Sequence, residues 1–414
     1  MGGNVIIGQS GGPTAVINSS LAGVFKTAKE LGANKIYGMK NGVQGLSEGR
    51  YVDLGDYIKN DFDIDLLMRT PAAFIGSCRF KLPNPEKDED VYKKIFSVLR
   101  ELDINYFFYI GGNDSMDTCH KISKYMLEKG YECRVIGVPK TIDNDLWFTD
   151  HCPGFGSAAR YIATTCMELA TDARVYRINQ VTIVEIMGRN AGWLTAASQL
   201  ATETGIGPDL IYLPERPFVI DEFYEDVEKV LKEHGYCFVA VSEGIVDKAG
   251  ELVAKIGPEV FVHTDSFGHV QLGGAGQVLA NLVREKFSVK VRPIELNIMQ
   301  RCASHTASQT DVDEAFRIGV EAVESAINGK SGYMAAFERI PGNPYRCEVR
   351  FVDLKEVANK EQKVPDIWIN ARGNGLTDGF VEYCRPLIRG NVSVGYDADG
   401  LPRFARLKRV LARP

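Results

Sequence analysis

Asn4-Val5-Ile6-Ile7, followed at once by Gly8-Gln9-Ser10-Gly11-Gly12-Pro13-Thr14, is an apolar run cut short by glycines. Behind it Val16, Leu21, Val24, Phe25 and Ala28 recur at helical spacing, so the stretch reads strand, glycine turn, helix. The same grammar returns downstream. Val91, Ile95, Val98, Leu99 and Leu102 form an amphipathic stripe, and Tyr106 to Ile110 a strand that stops at Gly111. A helix over about Asp117 to Glu128 leads to the strand Val135 to Val138. A second set runs through a helix over Ala158 to Ala173, a strand over Val181 to Ile186 and a helix across Leu194 to Ala201. It continues with the strand Leu210 to Leu213, a helix opening at Asp221 and the strand Tyr236 to Val241. Alternation at these lengths predicts an α/β protein of two doubly wound, mainly parallel-sheet, Rossmann-like lobes with a cleft between them. The expected division is 1–155 with about 300–345 in one lobe, and 156–299 with part of 346–414 in the other. From Tyr345 onward strand and loop signals are mixed and yield no order.

Composition sets the class. A chain of 414 residues, 45% hydrophobic and 25% charged, can bury a large core over two or three domains. Its net charge of -6 argues against a general nucleic-acid binder. Nine cysteines without a CxxC pair, and no secretory signal before the first strand, predict a cytoplasmic protein with ordinary thiols. No apolar run approaches the roughly 18 residues of a membrane span.

In an open parallel sheet the ligand crevice lies outside the carboxyl ends of the strands, and the motifs that carry chemistry here all fall at such ends. Gly8 to Thr14 suits backbone contact with a phosphate, or is a tight turn. It does not match GxGxxG, and Gly329-Lys330-Ser331 is no P-loop because Glu324 stands where the first glycine belongs. In Gly111-Gly112-Asn113-Asp114-Ser115, Asp114 or Ser115 would cap the next helix, place a metal, or do both. Pro139-Lys140-Thr141-Ile142-Asp143-Asn144-Asp145 puts a lysine and two carboxylates on one loop, able to hold a metal, deprotonate a hydroxyl and bind a phosphate; a solvated charged turn is the plainer reading. Met187-Gly188-Arg189 and Glu243 follow two later strands and would suit a sugar phosphate. Arg292 and Arg301 would make a second anion site or a salt-bridged face, and His305 is read as structural.

These motifs, in this order from Asn4 to about Phe316, resemble the phosphofructokinase family, and more narrowly its pyrophosphate-using branch. The resemblance implies that Gly11 and Gly12 contact the phosphoryl donor, with Asn113, Asp114, Ser115 and Lys140 beside them. Gly76 to Arg79 with Phe80 match the family's Gly-Ser-x-Arg-Phe stretch, so Arg79 would stabilise the transferring group. Asp143 would be the base for the sugar 1-hydroxyl, with Thr141 and Asp145 positioning the donor phosphate and magnesium, and Asp114 a second metal residue. Met187, Gly188, Arg189, Glu243 and Arg301 would hold fructose 6-phosphate, with Arg292 reaching in from a neighbouring subunit of a homo-oligomer. Donor choice turns on Asp114 and Lys140, which are glycines in ATP-using relatives. At about 4 Å and an effective dielectric near 20, a unit charge pair is worth on the order of 4 kcal/mol, so Asp114 would repel the ATP α-phosphate and Lys140 attract pyrophosphate.

Three positions depart from the family pattern. Asn113 replaces a metal-facing aspartate, Gln180 a cross-subunit arginine and Ile298 a histidine near the sugar phosphate. Asn113 would leave the magnesium shell to Asp114, Asp145, water and the diphosphate, while Gln180 and Ile298 point to loss of allosteric control or to a related acceptor such as sedoheptulose 7-phosphate. The rivals are an ATP-dependent enzyme of the same fold, disfavoured by Asp114 and Lys140, and a silent sugar-phosphate-binding subunit, disfavoured by the intact set Asp143, Asp145, Arg79 and Arg189.

Overall fold

The computed structural model describes residues 2–176, 178–256, 263–264, 270–271, 274–357 and 360–407. In chain order the strands are β1 (Asn4–Gln9), β2 (Ile36–Met39), β3 (Tyr51–Asp53), β4 (Ile104–Gly111), β5 (Arg134–Pro139), β6 (Gln180–Ile186) and β7 (Leu210–Tyr212). They continue with β8 (Tyr236–Ser242), β9 (His263–Thr264), β10 (Val270–Gln271), β11 (Lys290–Glu295), β12 (Tyr333–Ile340) and β13 (Arg346–Asp353). Seven form one sheet in the order β13-β12-β5-β4-β1-β2-β3, and four form a second in the order β11-β6-β8-β7. The second sheet is parallel throughout, whereas the first turns antiparallel at both edges, where β3 joins β2 and β13 joins β12. Among the described residues β9 and β10 pair only with each other.

The central strands are continuous apolar runs because helices cover both faces. Val5, Ile7, Phe108, Ile110, Ile136 and Val138 share a core with Leu21 and Phe25 of the helix Ile17–Glu30 and Ile318 of the helix Gln309–Ile327. The alternate residues Ile6, Phe107, Tyr109 and Val135 pack the other way, on Tyr92, Ile95 and Leu99 of the helix Glu89–Glu101 and Met116 of the helix Asn113–Glu128. The second sheet repeats the pattern. Val184, Ile186, Phe238 and Ala240 face the helix Phe155–Ala173, and Val181, Ile183, Val239 and Val241 face the helices Ile220–His234 and Ala275–Phe287.

Three expectations change. The helix expected from Asp117 begins at Asn113, because extended Gly112 (φ -90°, ψ -157°) opens it and its polar first turn, facing the cleft, hides the apolar periodicity. The helix expected across Leu194 to Ala201 divides into Trp193–Ala196 and Gln199–Thr202. The stretch after Tyr345 gains an order: β13 closes an edge of the first sheet, while the helix Asp378–Cys384 puts Phe380, Val381 and Tyr383 into the second sheet's core.

Candidate active site

A cleft of about 480 Å³ collects the loops that leave the carboxyl ends of β1, β4, β5 and β6, as an open parallel sheet requires. Gly11 and Gly12 follow β1. Gly11 has φ +76°, and a Cβ there would lie 3.3 Å from Lys140 Nζ; one on Gly12 would lie 3.0 Å from Arg301 Nη1 and 3.8 Å from Arg79 Nη2. The missing side chains are what let three cations converge on this backbone. Lys140 Nζ donates to Gly12 O at 2.6 Å, and its own N–H is held by Gly111 O at 3.0 Å. Burial, reinforced by Arg301 and Arg79 and opposed by Asp143, brings the Lys140 pKa down to about 8. Burial and Arg79 likewise lower that of Arg301.

Asp143 and Asp145 stand on the loop after β5 and line the same cleft. Between them Asn144, only 1% exposed at φ +55°, turns inward. Asp143 N–H donates to Thr141 Oγ1 at 3.1 Å, a short-range turn that threonine supports. Burial raises the Asp143 carboxyl above its ordinary range despite Lys140, Arg189, Arg301 and Arg79. Burial, then Asp143, then Glu361, lift Asp145 to about 7. Asp143, Asp145 and Glu361 thus gather at that end of the cleft, and their hard oxygen donors fit a magnesium ion.

The structure brings most of the expected residues together. Gly11, Gly12, Arg79, Asn113, Asp114, Ser115, Lys140, Thr141, Asp143, Asp145, Met187 and Arg301 all line the cleft. Asp114 and Ser115 do not cap the helix, since Gly112 fills that position without a side chain; Asp114 instead lies 3.6 Å from Lys81 Nζ. Asn113 Nδ2 donates to Lys360 O at 2.9 Å. Gly188, Arg189 and Glu243 flank the lining: Gly188 N–H donates to Glu243 Oε1 at 3.2 Å, and the charge of Arg189 acts on both Asp143 and Glu243. Burial, with Asp143 adding to it, raises Glu243 to about 7. Arg292 lies apart, half-buried on β11, with Nη1 2.9 Å from Asp172. Gln180 is buried and donates to Ala173 O of its own chain, while Ile298 is 53% exposed.

Sequence reasoning missed two lining residues, Lys81 and Glu361. Lys81 is the next residue after the Arg79-Phe80 stretch, which was signal enough to find it. Glu361 had none, since it comes from the unordered C-terminal part; Asn190 Nδ2 donates to its Oε1 at 3.0 Å, and its backbone pairs with Leu146. A second charged cluster lies behind the loop. His151 bonds Asp150 through Nδ1 and Glu314 through Nε2, each at 2.8 Å, and stacks on Phe337. Among the described residues His151, Glu314 and Cys347 lie close enough to share a metal, but both ring nitrogens are already engaged by carboxylates.

Cations gathered over a glycine turn, facing carboxylates across a polar cleft between two parallel-sheet lobes, make a site suited to phosphate esters and their hydroxyl acceptors. The family model described as Phosphofructokinase matches residues 4–326, and the chain belongs to that family. It is 42% identical over 414 residues to a pyrophosphate–fructose 6-phosphate 1-phosphotransferase of Xanthomonas campestris, covering 99% of this chain and 97% of the relative. A sulfofructose kinase of Alkalicoccus urumqiensis is 36% identical, over 91% of this chain and 95% of that protein. The crystal structure of a pyrophosphate-dependent phosphofructokinase from Marinobacter aquaeolei superposes with a TM-score of 0.87 at 39% identity, covering 100% of this chain and 98% of that one.

Proposed function

We propose that this protein transfers a phosphoryl group reversibly from pyrophosphate to the 1-hydroxyl of fructose 6-phosphate, giving fructose 1,6-bisphosphate and phosphate. The observation that carries the reading is the joint presence of Lys140 and Asp114 in the cleft lining, with Lys140 buried beside Gly11 and Gly12. A buried ammonium suits a compact diphosphate, and Asp114 disfavours a bulkier nucleotide. The 1-hydroxyl proton passes to Asp143 as its oxygen attacks the near phosphorus in line; the bond from that phosphorus to the bridging oxygen breaks, and phosphate leaves. Arg79, Lys140 and Arg301 meet the charge on the transferring and leaving groups, while Thr141 fixes the turn that orients Asp143. Asp145 and Asp114 are the residues that would hold magnesium, which when bound neutralises diphosphate charge.

In this reading the lobe of residues 1–155 with about 300–345 receives the donor, and 156–299 with part of 346–414 receives the sugar phosphate through Met187, Gly188, Arg189 and Glu243, with Arg301 reaching it from the donor lobe. Arg292, outside the cleft lining, serves a neighbouring copy in a dimer or tetramer. Among the described residues no helix is long and apolar enough to cross a membrane, which accords with a cytoplasmic, glycolytic or gluconeogenic setting. Initial rates with fructose 6-phosphate and magnesium, comparing pyrophosphate with ATP at equal concentration, test the proposal. Turnover with pyrophosphate alone is expected, and turnover with ATP alone would overturn the donor assignment. Sedoheptulose 7-phosphate and sulfofructose as competing acceptors set the sugar; a higher kcat/KM for either would replace fructose 6-phosphate.

A further inference from the structure

The loop bearing Asp143 and Asp145 is fastened from two sides. From the body of the fold, Thr141 N–H donates to Pro153 O at 3.3 Å, and Cys152 N–H to Asn144 Oδ1 at 2.8 Å. The second set of ties comes from the C-terminal part, beyond residue 326 where the family match ends. Gln362 N–H donates to Asp145 O at 2.7 Å. The Tyr383 hydroxyl accepts from Asn144 Nδ2 at 2.8 Å and donates to Asp150 O at 2.7 Å. Asn144 is the left-handed residue that turns away from the cleft while its two neighbours line it. Tyr383 is itself immobilised, 8% exposed, with the Arg339 guanidinium 4.7 Å from its ring centre and the Trp193 ring at 5.4 Å.

We propose that Tyr383 is a positioning residue for the phosphoryl transfer: through Asn144 it sets the turn that aims the Asp143 carboxylate, so the C-terminal part helps complete the active site. This rests on the function proposed above. A base misplaced by about 1 Å can cost on the order of a hundredfold in rate, so one hydroxyl is enough to matter.

The test uses the full chain carrying Tyr383→Phe. The expected result is a kcat roughly tenfold or more lower, with KM for both substrates within about twofold, the signature of an interaction needed in the transition state rather than for binding. Amides of 141–152 should exchange hydrogen faster while those of β6 do not change. Tyr212→Phe removes another buried hydroxyl bond, to Asp226 at 2.9 Å in the second lobe, and should keep kcat. If Tyr383→Phe does not fold, Asn144→Gly suits the left-handed backbone and cuts the Tyr383 tie together with the Cys152 N–H bond to Asn144 Oδ1, so a loss at least as large is expected. Wild-type kcat in the folded variant, or a loss matched by Tyr212→Phe, would overturn the proposal. Should the wild-type chain fail to turn over pyrophosphate and fructose 6-phosphate, the function reading falls; unchanged loop exchange in Tyr383→Phe would separately remove the tie.

Discussion

Two charged clusters lie a few residues apart on one stretch of chain and behave oppositely. In the cleft, Lys140 is pulled down to about 8 while Asp143 rises and Asp145 reaches about 7, all chiefly through burial, so each group is pushed toward its neutral form. Behind the cleft, Asp150 is lowered, His151 is raised to about 9 and Arg339 is raised. Burial opposes charge there too, but the hydrogen-bonded partners outweigh it. Arg339 donates to Asp150 at 3.0 Å, and His151 is held between two carboxylates. Residue type does not separate the clusters; completeness of pairing does. Buried charges left short of partners cost stability and are poised for ligands and proton transfer, whereas the paired set ties the loop to the helix Gln309–Ile327 and β12.

The most direct way to break the contrast is Asp143→Ala. With the base gone, kcat should fall about 10³-fold or more, KM should change little, and the thermal midpoint should stay or rise because a carboxyl disfavoured by its burial has been removed. Steady-state kinetics and calorimetry check both halves; near-normal turnover sinks the assignment of the base.

His151 gives the next largest effect, on stability rather than chemistry. Its folded pKa, about 9, lies above the unfolded value near 6.5, so the folded state holds the proton more tightly. The stabilisation is complete below about pH 6.5 and disappears as pH passes about 9, at most about 3 kcal/mol. Denaturant unfolding across that window should show the decline, and His151→Gln should flatten it. An unchanged slope in the variant would place the proton elsewhere.

Donor selectivity follows. Changing Asp114 and Lys140 together to glycine should lower kcat/KM for pyrophosphate about a hundredfold by removing the buried ammonium, and should raise ATP use relative to it. An unaltered donor ratio would mean that exclusion of nucleotide lies outside these two residues.

The contrast also explains what could be read from the sequence. The cleft residues sit at strand ends, so a strand, a glycine and a charge within a few positions revealed Gly11, Gly12, Asp114, Lys140 and Asp143 without tertiary information. The paired cluster was invisible because Glu314 reaches His151 and Arg339 reaches Asp150 from far along the chain, with Tyr345 in turn holding Glu314. Glu361 and Tyr383 were missed for the same reason. Their segment lacks strong periodicity and takes its shape from the two lobes it joins, with Lys360 O held by Asn113 and the Trp193 Nε1–H donating to Gln362 O at 2.9 Å.

The smallest predicted effect sharpens the contrast most, because it reverses an ordinary order: in this molecule a lysine loses its proton at about 8 and a histidine at about 9. Free lysine titrates near 10.4 and free histidine near 6.5. The kcat/KM for pyrophosphate, which reports the free enzyme, should therefore bend downward near pH 8 and fall about tenfold per unit beyond it as the Lys140 ammonium is lost. Assays kept well below the melting temperature separate this limb from the His151 stability decline. Lys140→Arg supplies the control, since guanidinium stays charged across the range: its kcat/KM is expected to start lower, because the fork does not fit a pocket built for an ammonium, but to show no bend near pH 8. A bend that persists there in Lys140→Arg would assign the titration to another group and leave Lys140 as a fixed charge like those behind the loop.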